Sequence, residues 1–152
     1  MIATLVIVRA VQSIALCAGG LFMASDFLHG AGFRFLTAKA LYPQWFPSLM
    51  GPYQLTFALL NFAEGGKHAV VAQAMLSLLM GGAVHHHFVG EGSAGMAIAP
   101  LLFWCSTVAV PILQEQKGFT QTLVLAAALG GLGFAMGGLL RVLGRAEKAS
   151  KD

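Results

Sequence analysis

Five stretches of apolar residues, separated by short polar segments, set the pattern of this 152-residue chain. A helix needs about 20 predominantly apolar residues to cross the hydrocarbon core of a bilayer. The five stretches approach that length and run over residues 2–24, 48–63, 68–88, 95–113 and 121–142. The second is short and begins beside Gly51-Pro52, where proline is tolerated in a first helical turn. The pattern predicts an all-α transmembrane helical bundle with five helices.

The polar connections between these stretches differ in kind. The "EGGK" turn at 64–67 is tight, so we expect the second and third helices to form an antiparallel hairpin, and "QEQKGFT" at 114–120 forms another short turn. The connection at 25–47 is long, aromatic and interrupted by charges, which is typical of a segment that lies in the membrane interface. Within it, Tyr42 and Trp45 are predicted to be interfacial belt residues beside the second helix.

Composition supports insertion into a membrane. Hydrophobic residues make up 57% of the chain and charged residues 10%, against about 25% charged residues in a typical soluble domain. We therefore interpret the net charge of +3 as a determinant of membrane orientation and of contacts with lipid head groups. We predict no nucleic-acid partner. Cys17 and Cys105 lie inside apolar stretches without a CxxC motif and are interpreted as small buried residues. The first stretch lacks a signal-peptide cleavage pattern and is interpreted as a retained helix.

Lysine and arginine residues are unequally divided between the two sides of the predicted bundle. Arg9, Lys67 and Lys117 fall on the N-terminal side. Six others fall on the opposite side: Arg34, Lys39, Arg141, Arg145, Lys148 and Lys151. By the positive-inside rule, the C-terminus is expected on the cytoplasmic or matrix side. The chain is predicted to be a multi-pass integral protein of a bacterial inner membrane or of a mitochondrial or plastid membrane.

Three consecutive histidines follow the small residues of the third stretch, in "LLMGGAVHHH". Neighbouring residues on an α-helix point about 100° apart, so we expect the rings of His85, His86 and His87 to diverge. A zinc site needs three or four ligands, and Glu91 is the nearest further one. We therefore predict no metal and no cofactor, with a metal or haem site as the disfavoured alternative. The histidines are interpreted as interfacial side chains that hydrogen-bond to head groups, water or a partner.

Arg9 is the one cation inside the first stretch. An arginine at the bilayer centre costs about 2.5 kcal/mol or more, so we expect its long side chain to reach the near interface. The alternative is a site for an anionic lipid or a quinone head group. Glu64 and Lys67 of the "EGGK" turn are then its expected protein neighbours.

Uncharged polar residues also lie within the second to fourth stretches. Asn61 and Gln73 stand near facing levels of the predicted hairpin, so we expect a hydrogen bond between the two helices. The alternative is a small-molecule pocket that is lined by Tyr53, Gln54 and Trp104 and binds a lipid or a quinone.

The fifth stretch carries the densest set of small residues. Gly133 and Gly137 form a GxxxG motif, and Gly130 and Gly138 extend the small surface. Such surfaces let helix backbones approach closely. Because the small residues occupy more than one face, this helix is predicted to contact both its own bundle and another membrane subunit.

Motifs between residues 9 and 113 are similar to those of a known family. The first helix, "RAVQSIALCAGGLFMASDFLHG", has an arginine before an apolar run with glycine and phenylalanine. A long connection and a short second helix follow, then "LLMGGAVHHH", and then a fourth helix with an early proline, Pro100. On these features the chain resembles the DoxX-like family of small membrane proteins. The resemblance implies a four-helix core over residues 1–113, and the fifth helix and charged tail at 114–152 lie outside it.

The resemblance implies several functions, including accessory subunits of membrane oxidoreductases and quinone-linked chemistry. The CxxC motif of some members is absent here, which argues against thiol chemistry, and the sequence contains no nucleophile paired with a base. We predict a non-catalytic accessory or scaffolding subunit of a larger respiratory or photosynthetic membrane complex, with other membrane subunits and lipids as partners. The alternative is a quinone-linked membrane oxidoreductase component. A transporter is disfavoured because few polar residues lie in the spans.

Overall fold

The computed structural model describes residues 2–29, 42–114 and 118–151, and these contain helices and turns but no strand. The helices are α1 (Ile2–His29), α2 (Phe46–Leu60), α3 (Ala69–His85), α4 (Ala94–Leu113) and α5 (Phe119–Ala149). A 3₁₀ helix, Ala63–Gly66, joins α2 to α3, and a π-helix, His86–Gly90, continues α3. The prediction of an all-α helical bundle is confirmed.

Four helices, α1, α3 with its π-helical continuation to Gly90, α4 and α5, are long and apolar enough to cross a membrane. They give the chain the character of a multi-pass integral membrane protein. The second predicted span differs, because α2 has 15 residues and is about 22 Å long at 1.5 Å per residue. This length falls short of the roughly 30 Å hydrocarbon core.

Two predicted boundaries shift in the structure. α1 continues to His29, so the start of the predicted interfacial connection is helical. α5 includes most of the charged tail, because it continues to Ala149. Residues 30–41, which make up most of that connection, lie outside the described residues.

The "EGGK" turn reverses the chain between α2 and α3, as predicted. Glu64, Gly65 and Gly66 have φ angles of 47°, 67° and 96°. Three successive residues with positive φ are feasible because two of them are glycines, which adopt this conformation without steric cost. The turn places Asn61 and Gln73 face to face.

α3 is the central helix and packs against α2, α4 and α5. Its residues Ala69, Ala72 and Leu76 are fully buried. Glycines bring α3 and α5 into direct backbone contact, since a Cβ atom at Gly133 would overlap the carbonyl oxygen of Leu78. The bundle is therefore built around helices that touch through their main chains.

Candidate functional site

An apolar cavity of about 330 Å³ lies between α1, α2, α3 and α5, at the end of the bundle where α3 passes into the π-helix. Methionine, leucine and phenylalanine side chains form most of its wall: Met23, Phe46, Met50, Leu78, Leu79, Met136 and Leu140. Its volume lies near the lower end of the range for small-molecule sites, about 300–1,000 Å³. The cavity is therefore large enough for a compact ligand.

Small residues on two facing helices create this space. Gly82 and Ala83 of α3 and Gly133 and Gly137 of α5 line the cavity. Their short side chains leave volume that leucine at the same positions would fill. The close helix contact and the cavity thus have one cause, the small residues shared by α3 and α5.

The polar atoms of the cavity wall are concentrated in a few side chains. Gln54, His86 and His87 line it, together with Tyr53 and Tyr42. The hydroxyl of Tyr53 donates a hydrogen bond to the Met75 carbonyl at 2.7 Å, so it is already engaged. The imidazoles and the Gln54 amide are the groups suited to a ligand's polar atoms.

Tyr42 lies inside the bundle rather than at its surface. Its exposed fraction is 7%, its ring stacks on Phe46 with centroids 4.8 Å apart, and it lies 5.5 Å from the His86 ring. A Cβ atom at Gly144 would approach the Tyr42 backbone to 2.6 Å, so α5 passes directly beside it. Tyr42 is therefore covered by the bundle, whereas Trp45 is half exposed, and the interfacial depth of both stays a prediction.

Burial gives Tyr42 a measurable effect on stability at high pH. Burial raises the pKa of Tyr42 to about 12, Arg141 opposes the rise, and Glu91 adds to it. An unfolded tyrosine has a pKa near 10, so the folded protein holds the phenol proton more tightly. We expect stability to be unaffected below pH 10 and to fall as the pH rises towards 12.

Tyr42→Phe removes this titration and leaves the ring. Chemical denaturation of both proteins is measured from pH 8 to 12. The free energy of unfolding should fall less between pH 10 and 12 in Tyr42→Phe than in the wild type. Parallel loss in both proteins would show that Tyr42 does not contribute.

The three histidines separate into two groups. His85 is buried, lies edge-on to the Phe134 ring at 4.9 Å and packs on Gly137 of α5. His86 and His87 instead reach Glu91, with Nε2 of His86 3.6 Å from Oε1 and Nδ1 of His87 2.7 Å from Oε2. His85 therefore packs inside the bundle and its interfacial depth stays a prediction, whereas the predicted divergence is wrong for His86 and His87.

The π-helix explains why two adjacent histidines share one carboxylate. The Glu91 amide donates to the His86 carbonyl at 2.9 Å, the five-residue spacing that defines a π-helix. On an α-helix, residues five apart point about 140° away from each other. The wider π turn returns Glu91 to the side of His86. Such turns are frequent at functional sites.

Arg9 lies at the opposite end of the bundle and is 5% exposed. It donates a hydrogen bond to the Asn61 carbonyl, and its guanidinium lies 4.7 Å from the Phe62 ring centroid. Glu64 and Lys67 pair with each other at 3.2 Å instead. The guanidinium lies beside Gly66 of the same turn, and its depth relative to the membrane interface stays a prediction. A cation at the C-terminal end of α2 is favoured by the helix dipole.

A buried hydrogen-bond network joins α1, α2 and α3 beside Arg9. Gln73 donates to Oε1 of Gln12 at 2.8 Å and to Oδ1 of Asn61 at 2.8 Å. Gln12 returns a bond to Gln73 at 2.9 Å and donates to Ser106 of α4 at 2.8 Å. The predicted bond across the hairpin is confirmed. Sequence reasoning missed Gln12, although its spacing of three residues from Arg9 places both on one helix face.

The residues predicted to form a lipid or quinone site do not form one group. Tyr53 and Gln54 line the cavity, whereas Arg9 and Trp104 are not among its lining residues. The Trp104 indole donates to the Ala126 carbonyl at 3.1 Å and packs on Gly130. Trp104 therefore joins α4 to α5.

The glycines predicted to contact both their own bundle and a partner subunit contact their own chain in the structure. A Cβ atom at Gly130 would approach Trp104 to 2.7 Å, and Cβ atoms at Gly137 and Gly138 would approach His85 to 3.0 and 3.4 Å. Gly133 meets the α3 backbone. These four glycines thus serve packing within the bundle, and a second subunit would have to meet another face of α5.

Comparisons with protein-family models, with curated proteins and with solved structures find no match. The resemblance to DoxX-like proteins therefore stays a prediction that rests on the motifs described above. Function has to be argued from the site itself.

Proposed function

We propose that this chain binds an apolar molecule with a flat, hydrogen-bonding head group, of the isoprenoid-quinone class, within the membrane. The observation that supports this proposal is the 330 Å³ cavity, whose wall is mostly apolar but includes His86 and His87. Ligand sites of this kind combine a hydrophobic lining with a few polar groups that fix orientation.

The chemistry of the wall suits a quinone ring in two ways. Quinone carbonyl oxygens accept hydrogen bonds, and the Gln54 amide in the cavity wall carries two N–H donors. The stacked rings of Tyr42 and Phe46 offer a flat aromatic surface, and aromatic pairs favour offset or edge-to-face contact with a second ring. Met23, Met50 and Met136 line the same cavity, and methionine adapts its shape to irregular apolar groups.

The charges near the cavity favour a neutral head group over an anionic phospholipid. Lysine and arginine are missing from the described lining residues. Arg141, which lies at this end of the bundle, donates to the Val89 carbonyl at 2.8 Å. A phosphate in the cavity would meet no lysine or arginine among the described wall residues, and burying an unpaired charge is costly.

Filling the cavity tests the proposal. Ala83 lines it, so Ala83→Phe should place a ring in the space that the ligand occupies. The matched control is Ala127→Phe, which adds the same ring to an exposed position of α5. Delipidated protein in detergent is titrated with decylubiquinone, and binding is followed by native mass spectrometry and by thermal shift.

We expect saturable one-to-one binding by the wild type and by Ala127→Phe, with at least a tenfold loss of affinity in Ala83→Phe. Equal binding by all three proteins, or non-saturable uptake, would contradict the proposal, because either result indicates partition into the detergent. Displacement of decylubiquinone by an anionic phospholipid at similar concentration would also contradict it.

The accessory-subunit function stays a prediction. Its main support was the small-residue surface of α5, and that surface is covered by α3 and α4 in the structure. The cavity gives the quinone-class function the stronger argument.

A further inference from the structure

We propose that His86, His87 and Glu91 form a binding site for a divalent first-row transition metal ion, with Zn²⁺ and Fe²⁺ as the best-fitting ions. This site shares His86 and His87 with the cavity wall, but its argument does not depend on the proposed cavity ligand. Its three side chains each offer one ligand atom, and these atoms all lie within 4.8 Å of one another.

The distances are close to those that a metal would impose. Tetrahedral Zn²⁺ has bonds of about 2.0–2.1 Å to nitrogen and oxygen, which separates its ligand atoms by roughly 3.3 Å. The His86–Glu91 distance of 3.6 Å, measured to Oε1, is near this value, and the His87–Glu91 hydrogen bond of 2.7 Å, measured to Oε2, would have to lengthen. Ligand atoms that lie up to 4.8 Å apart would also have to move closer together.

The donor set is one that transition metals prefer. Two imidazoles and one carboxylate occur in catalytic zinc sites, which keep a fourth position open, and in the facial triad of non-haem Fe²⁺ sites. Here, His86 and His87 also line the cavity. An ion held by these residues would therefore lie at the cavity wall.

Burial strengthens the attraction between this site and a metal ion, whereas a nearby positive charge weakens it. The side chains of His86 and Glu91 are each 11% exposed and that of His87 is 24% exposed, so a carboxylate–metal attraction is poorly screened. Arg141 of α5 reaches the same π-helix through its bond to Val89, and its positive charge opposes a second cation. Glu91 supplies the negative charge that offsets it.

A purely local role for Glu91 is the competing explanation. Its hydrogen bond to His87 could serve only to hold the π turn. In that case the three residues would bind no metal, and replacing Glu91 would change stability alone.

The chain contains a matched control for the test. Glu64 and His68 lie 3.7 Å apart in another turn, but there the side chains are 61% and 41% exposed and the neighbouring residue is Lys67. This pair has one imidazole and no second histidine. Glu64→Gln therefore removes a histidine-paired carboxylate without touching the proposed site.

The experiment uses untagged, chelator-stripped protein without added quinone. Zn²⁺ binding is measured by calorimetry, and Co²⁺ serves as the spectroscopic probe because its visible absorption reports coordination. We expect one ion per chain in the wild type and in Glu64→Gln. Loss of an outer-shell partner already weakens metal affinity about 10–100-fold, so Glu91→Gln should weaken binding by at least about 100-fold.

A second variant protects the test against misfolding. If circular dichroism shows that Glu91→Gln is not folded, His87→Gln replaces it, with the same expected loss. Absence of stoichiometric Zn²⁺ binding by the wild type would overturn the proposal, as would unchanged affinity in the folded variant. Because the titration contains no quinone, its failure is distinct from failure of cavity binding.

Discussion

Gly133→Ala is expected to destabilise the protein strongly although it adds a single methyl group. The new Cβ would overlap the Leu78 carbonyl oxygen and lie 3.2 Å from the Gly82 nitrogen, and both are backbone atoms of α3. Neither atom can move aside by a change of rotamer, so the two helices must separate. Overpacking of this kind costs about 1–3 kcal/mol and occasionally more.

Gly131→Ala is the matched control within the same helix. A Cβ atom at Gly131 meets no atom within 4 Å, and alanine in a helix interior is more stable than glycine by about 0.5–1 kcal/mol. Thermal unfolding in detergent, followed by circular dichroism, should show a lower midpoint for Gly133→Ala and an equal or higher one for Gly131→Ala. Similar midpoints for the two variants would mean that the α3–α5 contact is not as close as the structure describes.

Gln73→Leu is expected to have the second large effect, through loss of hydrogen bonds instead of steric overlap. Gln73 is 1% exposed and takes part in three bonds with Gln12 and Asn61. Leucine leaves Oδ1 of Asn61 buried without its bond from Gln73, whereas the Gln12 amide keeps its bonds with Ser106 and Asn61. Each unsatisfied buried group costs about 1–3 kcal/mol. The hydrocarbon region of a membrane contains no water that could replace the lost hydrogen bonds.

A double-mutant cycle isolates the interaction from the general effect of the substitution. Gln12→Leu alone should also destabilise, whereas Gln12→Leu combined with Gln73→Leu should cost less than the sum of the two. Gln121→Leu, at an exposed position of α5, controls for added hydrophobicity. Strict additivity of the two central substitutions, measured by denaturation in detergent, would argue against a coupled network.

These two predictions concern the features that hold the bundle in one arrangement. Apolar side chains gain little by leaving lipid for one another, so helix association in membranes depends on close packing and on hydrogen bonds between helices. The contact between the α5 glycines and α3 supplies the close packing. The network around Gln73 supplies the hydrogen bonds among α1, α2 and α3.

Much of the fold could be predicted from the sequence because hydrophobic length is a strong signal. The all-α class, the apolar helices and the "EGGK" reversal follow from the spacing of apolar residues and from glycine at the turn. The length of α2 was predicted to be marginal, and its 15 residues fall short of a span. The extension of α5 through a charged tail was not predicted, because composition does not show where a helix ends in water.

The candidate site was less predictable, because it depends on local backbone geometry and on contacts between distant helices. The predicted divergence of the histidines requires α-helical spacing, and the π-helix at 86–90 changes that spacing so that His86, His87 and Glu91 converge. Glu64 and Lys67 were the expected neighbours of Arg9, but the packed bundle brings the Asn61 carbonyl to its guanidinium. Tyr42 was assigned by its residue type, which carries no information about the α5 backbone that covers it.

By itself, the sequence determined that this chain forms apolar helices suited to a membrane, where its chain reversals fall and which residues are small. Tertiary structure decided what those residues do. It directed the α5 glycines towards α3, opened the cavity beside them and brought two histidines to one carboxylate. The physical reason is that hydrophobicity and turn propensity are local properties, whereas close packing, cavities and ligand geometry depend on which helix faces meet.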